Sequence, residues 1–258
     1  MKLLKQLAIT FCLSCLILLV NTPYNVLADE LFPNLKGTDL QQKIAEEYTP
    51  DQTLGYKKGR DILYTEIDNQ NGVLTGIYTG YSINVDRDSD TPRKDAYRQD
   101  INAEHIYPQS KGAKGKAKSD LHSLFASRVQ VNSARGNHPF ADINDSLTRK
   151  WFRDDQELRT IPTESIDEYS ESINSSFEPR ENKKGDVARA MFYFYTVYRS
   201  RADAEDRNFF PLQKETLCHW NTTDPVDKKE LDRSHLVASF QGNENPFVID
   251  STLVDRAY

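Results

Sequence analysis

Asp100-Ile-Asn-Ala-Glu-His-Ile-Tyr-Pro-Gln-Ser110 is followed, after a Lys/Gly-rich stretch, by Ser119-Asp-Leu-His-Ser-Leu-Phe125 and Val131-Asn-Ser-Ala-Arg-Gly-Asn137. The first segment reads as extended over 101–107 and is stopped by Pro108. Residues 109–119 read as a loop, with Ala113 and Ala117 as its only apolar side chains. Ser127 is placed to cap a helix running to Arg135, and Gly136 to end it. Upstream, the Asn71-Gly72 pair marks a turn in 69–72. Residues 73–83 are rich in β-branched and aromatic types and read as a strand. Helices are expected over 40–48, capped by Asp39, and over 54–67. The stretch 86–92 reads as a polar loop. Downstream, 154–180 is acidic and loop-rich. Residues 186–199 read as a strong helix, with Val187, Ala190, Met191, Phe194, Tyr195 and Tyr198 as its apolar stripe. Residues 212–220 and 227–240 also read as helical, with Gly242 ending the second. The tail 243–258 reads as irregular. The sum is an α+β chain in a single domain.

The central segments carry the chemistry. A Glu-His pair ends a strand, a loop follows, and a helix presents an Asn. Phosphodiester hydrolysis needs a base to deprotonate water, a cation at the phosphate, ligands for that cation and access for a long strand. His105 suits the base, because imidazole titrates near neutrality. A hard cation such as Mg²⁺ wants oxygen ligands, and the Glu104 carboxylate and Asn132 amide oxygen supply them. A neutral Asn leaves more of the cation's charge for the phosphate. Adjacent residues on a regular strand point to opposite faces, so Glu104 and His105 cannot share one site from an ideal strand. The expectation is a backbone bend before Pro108. Arg135, Lys111 and Lys114 are candidate substrate-binding residues. Arg135 reads equally as a phosphate ligand or as one half of a structural pair. The run Lys111, Lys114, Lys116, Lys118 reads equally as a phosphate guide or a solvated loop. His122 reads as a residue that orients the local fold.

These motifs resemble the endonuclease I family of secreted and periplasmic bacterial nucleases. The family's Glu-His-x-x-Pro matches Glu104, His105 and Pro108; its Asp-Leu-His-x-Leu matches Asp120 to Leu124; its Val-Asn-x-x-Arg-Gly-Asn matches Val131 to Asn137. Tyr78-Thr-Gly80, Lys184-Gly-Asp-Val-Ala-Arg-Ala190, Trp220, Asp224-Pro-Val226 and Gln241-Gly-Asn-Glu-Asn-Pro-Phe247 extend the match along most of the chain. Each motif alone is weak; their order and number make the resemblance specific. Arg233-Ser234 departs from the Arg-Asn usual in the family. The resemblance implies a ββα-metal (His-Me finger) active-site motif surrounded by helices. It also implies His105 as general base, Glu104 and Asn132 as metal ligands, and a divalent metal, Mg²⁺ first, with Mn²⁺ or Ca²⁺ as alternatives.

Lys2 and Lys5, the apolar run 7–20 and Val26-Leu27-Ala28 read as a cleaved export signal over 1–28, leaving 29–258 as the nuclease domain. Cys12 and Cys15 leave with the signal, so Cys218 remains without an internal disulfide partner. The expected location is extracellular or periplasmic. The expected state is a monomer, with DNA or RNA as partner and no membrane contact in the mature form. The chain carries net charge −6, which argues against a broad basic coat for nucleic acid. Charge is uneven, however. Residues 98–138 hold seven basic and three acidic side chains, whereas 154–181 hold nine acidic and two basic. A positive site on an acidic body suits a polyanion that must be released. The expected activity is endonucleolytic cleavage of DNA or RNA with little sequence preference. The competing reading is a non-catalytic nucleic-acid-binding protein on the same fold. The Glu-His plus Asn set speaks against it, because binding alone needs no general base. A zinc peptidase would want His-Glu-x-x-His on a helix, and the sequence has none.

Overall fold

The computed structural model describes residues 30–258; the export signal expected over 1–28 lies outside the described residues. Helix α1 (Gly37–Tyr48) buries Leu40 and Ile44, four residues apart on one face. Its N-cap is Lys36, without a side-chain cap, so Asp39 sits inside the first turn instead of capping it. An acidic residue there still favours the positive helix end. Helix α2 (Tyr56–Ile62) continues into a π turn over Leu63–Ile67.

The expected strand over 73–83 is two strands. β1 (Asn69–Gln70), β2 (Val73–Thr75) and β3 (Ser82–Asn84) form an antiparallel sheet in the order β1-β2-β3, with Leu74 opposite Ile83. The reversal between β2 and β3 is closed by the Gly76 amide, 2.8 Å from the Tyr81 carbonyl. Gly80 takes φ +75° there, a conformation a side chain resists. Helix α3 (Pro92–Arg98) follows the polar loop and opens on a proline at its first turn, where the missing N–H costs nothing.

Strands β4 (Ile101–His105) and β5 (Leu124–Arg128) form an antiparallel ribbon, and helix α4 (Val129–Arg135) leaves the end of β5 with no loop between. Ser127 belongs to the strand, so it is not the cap expected from sequence; Arg128 holds that place. Gly136, at φ +55°, ends the helix. The acidic stretch carries most of a third sheet: β6 (Lys150–Arg153), β7 (Gln156–Leu158), β8 (Ser170–Ser172) and β9 (Phe177–Glu178), ordered β7-β6-β8-β9.

Helices α5 (Lys184–Val197), α6 (Arg199–Asp206), α7 (Lys214–Thr223) and α8 (Lys228–Gln241) make up the C-terminal half. Helix α5 is buried from Lys184 to Thr196, all around and not along one stripe. A helix that is apolar on every side belongs inside a layer. Its polar members are paired: Arg189 meets Glu230 at 2.6 Å and the Asp224 carbonyl at 3.0 Å. Gly185 is required by packing, because a Cβ there would sit 2.0 Å from the Asp224 carbonyl. The tail is helical where it was expected to be irregular. Asn245 accepts from the Phe247 amide and caps α9 (Pro246–Ile249), and α10 (Leu253–Ala257) follows.

The ribbon β4–β5 lies between two cores. One joins Ile101, Leu121, Leu124 and Ala126 to the π turn and to Val237. The other joins Ile106, Phe125, Val131 and Phe140 to the buried residues of α5. Period-two alternation sends neighbouring ribbon residues to opposite cores.

Candidate active site

Strand β4 stays in register to its end: Glu104 lies opposite Phe125, and His105 lies opposite Leu124. The expected bend is therefore absent up to His105. Glu104 and His105 project to opposite faces, as strand parity requires.

The Glu104 face is closed by α4. Glu104 is 2% exposed. The Tyr78 hydroxyl donates to its Oε1 at 2.7 Å, and Arg135 Nε lies 3.5 Å from the same oxygen. Burial pushes the Glu104 carboxyl up to about 7, against the opposing pull of Arg135 and the Tyr78 hydrogen bond. Arg135 is fully buried and reaches back across the strand end. It donates to the Ile106 carbonyl at 2.7 Å, to the Gly136 carbonyl at 3.1 Å and to the His105 carbonyl at 3.4 Å. Its guanidinium also lies over the Phe140 ring. Arg135 thus sits inside the protein, as a clamp on the backbone of residues 105–106 and not as a surface phosphate ligand.

Asn132 stands one turn earlier on α4 and is half-buried. Its Nδ2 donates to Asn102 Oδ1 at 2.8 Å and to the Ala103 carbonyl at 3.2 Å. Two acceptors at one end of the amide fix its orientation. Among the described residues no donor reaches Asn132 Oδ1, so that oxygen is left for an outside group. Asn102 was not singled out in the sequence. It lies two residues before Glu104, hence on the same face, and parity alone could have found it.

The His105 face is different. His105 Nε2 lies 3.0 Å from the Lys118 carbonyl. A carbonyl only accepts, so Nε2 carries the hydrogen and Nδ1 keeps its lone pair. Gln109 Nε2 faces Nδ1 at 3.4 Å, from an exposed position in the loop. Burial lowers His105 to about 4, helped by the charges of Lys118, Arg135 and Arg60 and opposed by the bond to Lys118. The ring is neutral at pH 7. Tyr56 lies beside it, ring centroids 5.5 Å apart.

The Lys118 carbonyl is itself held. Two residues on, Asp120 is buried and accepts from the Tyr193 and Tyr198 hydroxyls at 2.8 and 2.7 Å and from Gln241 Nε2 at 2.9 Å. His122 donates its backbone amide to the same carboxylate, and its ring bonds to the Asn243 carbonyl at 2.8 Å. His122 is part of this scaffold, as expected. The motifs that hold Asp120 and Tyr78 are visible in the sequence, but the task of either residue is not. A buried acid or phenol hydroxyl needs a partner, and that demand was the available signal.

The lysine run is mostly engaged. Lys111 pairs with Asp206 at 2.8 Å, Lys114 with Glu205 at 2.6 Å, and Lys116 donates to the Asp51 carbonyl. The Lys111 and Lys114 pairs tie the loop to α6. Among the described residues no three His, Cys, Asp or Glu side chains converge as a metal cluster. Clefts of about 480 and 240 Å³ among the described residues are lined by neither Glu104, His105 nor Asn132. Glu104 and His105 are buried, and Asn132 is half-buried.

A family model described as Endonuclease I matches residues 32–252. An extracellular ribonuclease of Bacillus subtilis (strain 168) is 32% identical over 163 residues, covering 58% of this chain and 51% of that protein. An extracellular ribonuclease of Bacillus amyloliquefaciens is also 32% identical over 163 residues, covering 58% and 50%. A periplasmic deoxyribonuclease of Aeromonas hydrophila is 28% identical over 181 residues, covering 61% and 67%. The chain spans about half the length of the two Bacillus relatives. Among the described residues no helix is long and apolar enough to cross a membrane.

Proposed function

The chain belongs to the endonuclease I family, and on that premise we propose that it is a secreted, metal-dependent endonuclease that hydrolyses phosphodiester bonds of DNA or RNA with little sequence preference. The ribbon β4–β5 and helix α4 are read as its ββα-metal motif, and residues 29–258 as one nuclease domain behind a cleaved signal. The observation that carries the reading is the state of His105. Its Nε2 is pinned to the Lys118 carbonyl, which leaves the neutral Nδ1 as the basic nitrogen, 3.4 Å from the Gln109 side-chain amide.

In the proposed reaction a water attacks the scissile phosphorus. His105 Nδ1 takes the proton, the new P–O bond forms, the bond to the departing sugar oxygen breaks, that oxygen takes up a proton from solvent water, and His105 gives its proton back to solvent. The product is a phosphate monoester and a free sugar hydroxyl. Because Glu104 and His105 point to opposite faces, the phosphate must lie across the end of β4 and not on either face. The donor set suits a hard cation: one carboxylate and one amide oxygen without a donor. Glu104 and Asn132 would hold Mg²⁺, Mn²⁺ or Ca²⁺, which supplies Lewis-acid stabilisation of the charge growing on the phosphate. Asn102 and Ala103 orient the amide, while Tyr78 and Arg135 orient the carboxylate. Such outer partners tune a site nearly as strongly as the ligands do.

A base-blind, phosphate-centred site explains the expected tolerance of sequence. Ribonuclease and deoxyribonuclease relatives alike accord with it, and their extracellular or periplasmic names support export. The test is cleavage of plasmid DNA and of RNA by the purified chain with Mg²⁺, with and without a chelator. His105→Ala is expected to lower kcat by roughly 10²–10⁴-fold, the usual scale of a lost general base. The melting temperature should stay within a few degrees of wild type. Chelator-resistant cleavage, or full turnover by a folded His105→Ala protein, would overturn the reading.

A further inference from the structure

The cations expected to guide the substrate are neutralised: Lys111 and Lys114 meet carboxylates of α6, and Arg135 is sealed inside. A different group stands beside His105. Tyr56, the first residue of α2, has the Arg60 guanidinium 4.1 Å from its ring centroid and Lys118 Nζ 4.3 Å from it. The same ring is 5.5 Å from the His105 ring. Buried Gly59 brings α2 against the turn that carries Lys118; a Cβ at Gly59 would already touch the Ser119 carbonyl at 3.7 Å. Among the described residues neither Arg60 nor Lys118 meets a carboxylate within ion-pair distance. Two like charges on one ring repel, and cation–π contact with a partly exposed tyrosine offsets only part of that. In a chain with six more acidic than basic charges, an unneutralised pair next to the base is a standing anion site.

We propose that Arg60 and Lys118, gathered on Tyr56, form a phosphate subsite that takes a backbone phosphate of the nucleic-acid strand adjacent to the one being cut; the proposal rests on the reading of the chain as a nuclease. Lys118 then has two tasks. Its carbonyl fixes the tautomer of His105, and its ammonium holds the strand. Strand position and base position are therefore set by one residue. Tyr56 contributes by pre-orienting the two cations, which lowers the cost of ordering them on binding. The contact is to phosphate alone and carries no base information.

The test separates binding from cleavage. The full-length mature chain is titrated with a fluorescein-labelled, fully phosphorothioate single-stranded oligonucleotide, which keeps the backbone charge and resists hydrolysis, and anisotropy is read across a salt series. Arg60→Gln and Lys118→Gln should each flatten the slope of log K against log salt by about 0.7, and the double variant by about twice that. Lys118→Arg keeps the charge and should keep the slope, which covers the case where Lys118→Gln misfolds. Tyr56→Leu should raise Kd while leaving both charges in place. An unchanged slope in Arg60→Gln and Lys118→Gln, or no binding by the wild-type chain, overturns the subsite. Cleavage of ordinary DNA and RNA is measured in parallel, so a failure of the catalytic reading shows there and not in the titration.

Discussion

One short ribbon presents two unlike faces. On the Glu104 face Tyr78 and Arg135 engage the carboxylate, and Asn102 and Ala103 hold the amide nitrogen of Asn132, which leaves Asn132 Oδ1 without a donor among the described residues. On the His105 face the imidazole has one firm bond, to a carbonyl, and its other nitrogen meets only an exposed glutamine at 3.4 Å. The cations there rest on an aromatic ring and, among the described residues, meet no carboxylate within ion-pair distance. The difference teaches where substitutions should be felt. On the proposed reading, changes to the outer partners Tyr78 and Arg135 act on stability and geometry, and changes at His105, Arg60 and Lys118 act on proton transfer and substrate. The same alternation that forbids Glu104 and His105 from facing one point also divides the labour between them.

The largest expected effect that would break this comparison is on the Glu104 face. Arg135→Met keeps the volume but removes the cation beside a buried carboxylate and the donor to two strand-end carbonyls. Breaking a buried pair from one side costs about 3–5 kcal/mol. For a chain of this size that lowers the melting temperature by roughly 6–20 °C. Thermal melts of Arg135→Met and His105→Ala side by side decide the matter. A drop below about 1 kcal/mol in Arg135→Met would mean the Glu104 face is no more committed than the other.

A sharper version uses one chemical change on each face. Tyr78→Phe removes the hydroxyl that donates to Glu104 at 2.7 Å. Hydrogen bonds to charged groups are worth about 1.5–3 kcal/mol, and a buried acceptor left bare costs a similar amount. Tyr56→Phe removes a hydroxyl with no partner among the described residues, and the ring that carries the cations remains. Its stability should stay within about 0.5 kcal/mol of wild type. Urea denaturation of both variants reads the contrast directly. Equal losses would contradict the asymmetry.

Much of this arrangement was legible in the sequence, and the failures share a cause. Pro108 and Gly136 bracket the ribbon and helix, and Gly242 ends α8 as read. The helical spacing of Leu40 and Ile44 placed α1. Where sequence reading failed, the signal was short or two-sided. Residues 73–83 looked like one strand because the reversal at 76–80 is made by Gly76 and Gly80 amid β-formers. Helices α9 and α10 are four and five residues long, too short to show a period, although Asn245-Pro246 is a legible cap and first turn. Ser127 looked like a cap because nothing local says that β5 runs directly into α4. At the site, the motif residues were legible but their partners were not. Tyr78 and the Lys118 carbonyl come from other segments, and only tertiary packing brings them to the strand end, whereas Asn102 lies on β4 itself. The fate of Lys111 and Lys114 depends on Asp206 and Glu205, more than 90 positions away.

Lys111 also supplies the smallest effect and the finest test of the two-face picture. It lies in the loop just past His105, which on sequence grounds reads equally as a phosphate guide or a solvated loop. Its ammonium is 2.8 Å from Asp206, with both side chains about a quarter to a third exposed. The bond to Lys111 holds the Asp206 carboxyl below its usual range. A pair of this kind contributes about 0–1 kcal/mol to stability, so Lys111→Gln should barely move the melting temperature. The more telling readout is salt dependence. A lysine matched by a carboxylate presents no net charge to a strand, whereas Arg60 and Lys118 present two. Lys111→Gln should therefore leave the salt slope of oligonucleotide binding within about 0.2 of wild type, against about 0.7 for Arg60→Gln. If Lys111→Gln flattens the slope as much as Arg60→Gln does, the pair with Asp206 opens on binding and hands its cation to the substrate. The loop would then be a second arm of the phosphate site instead of a strut to α6.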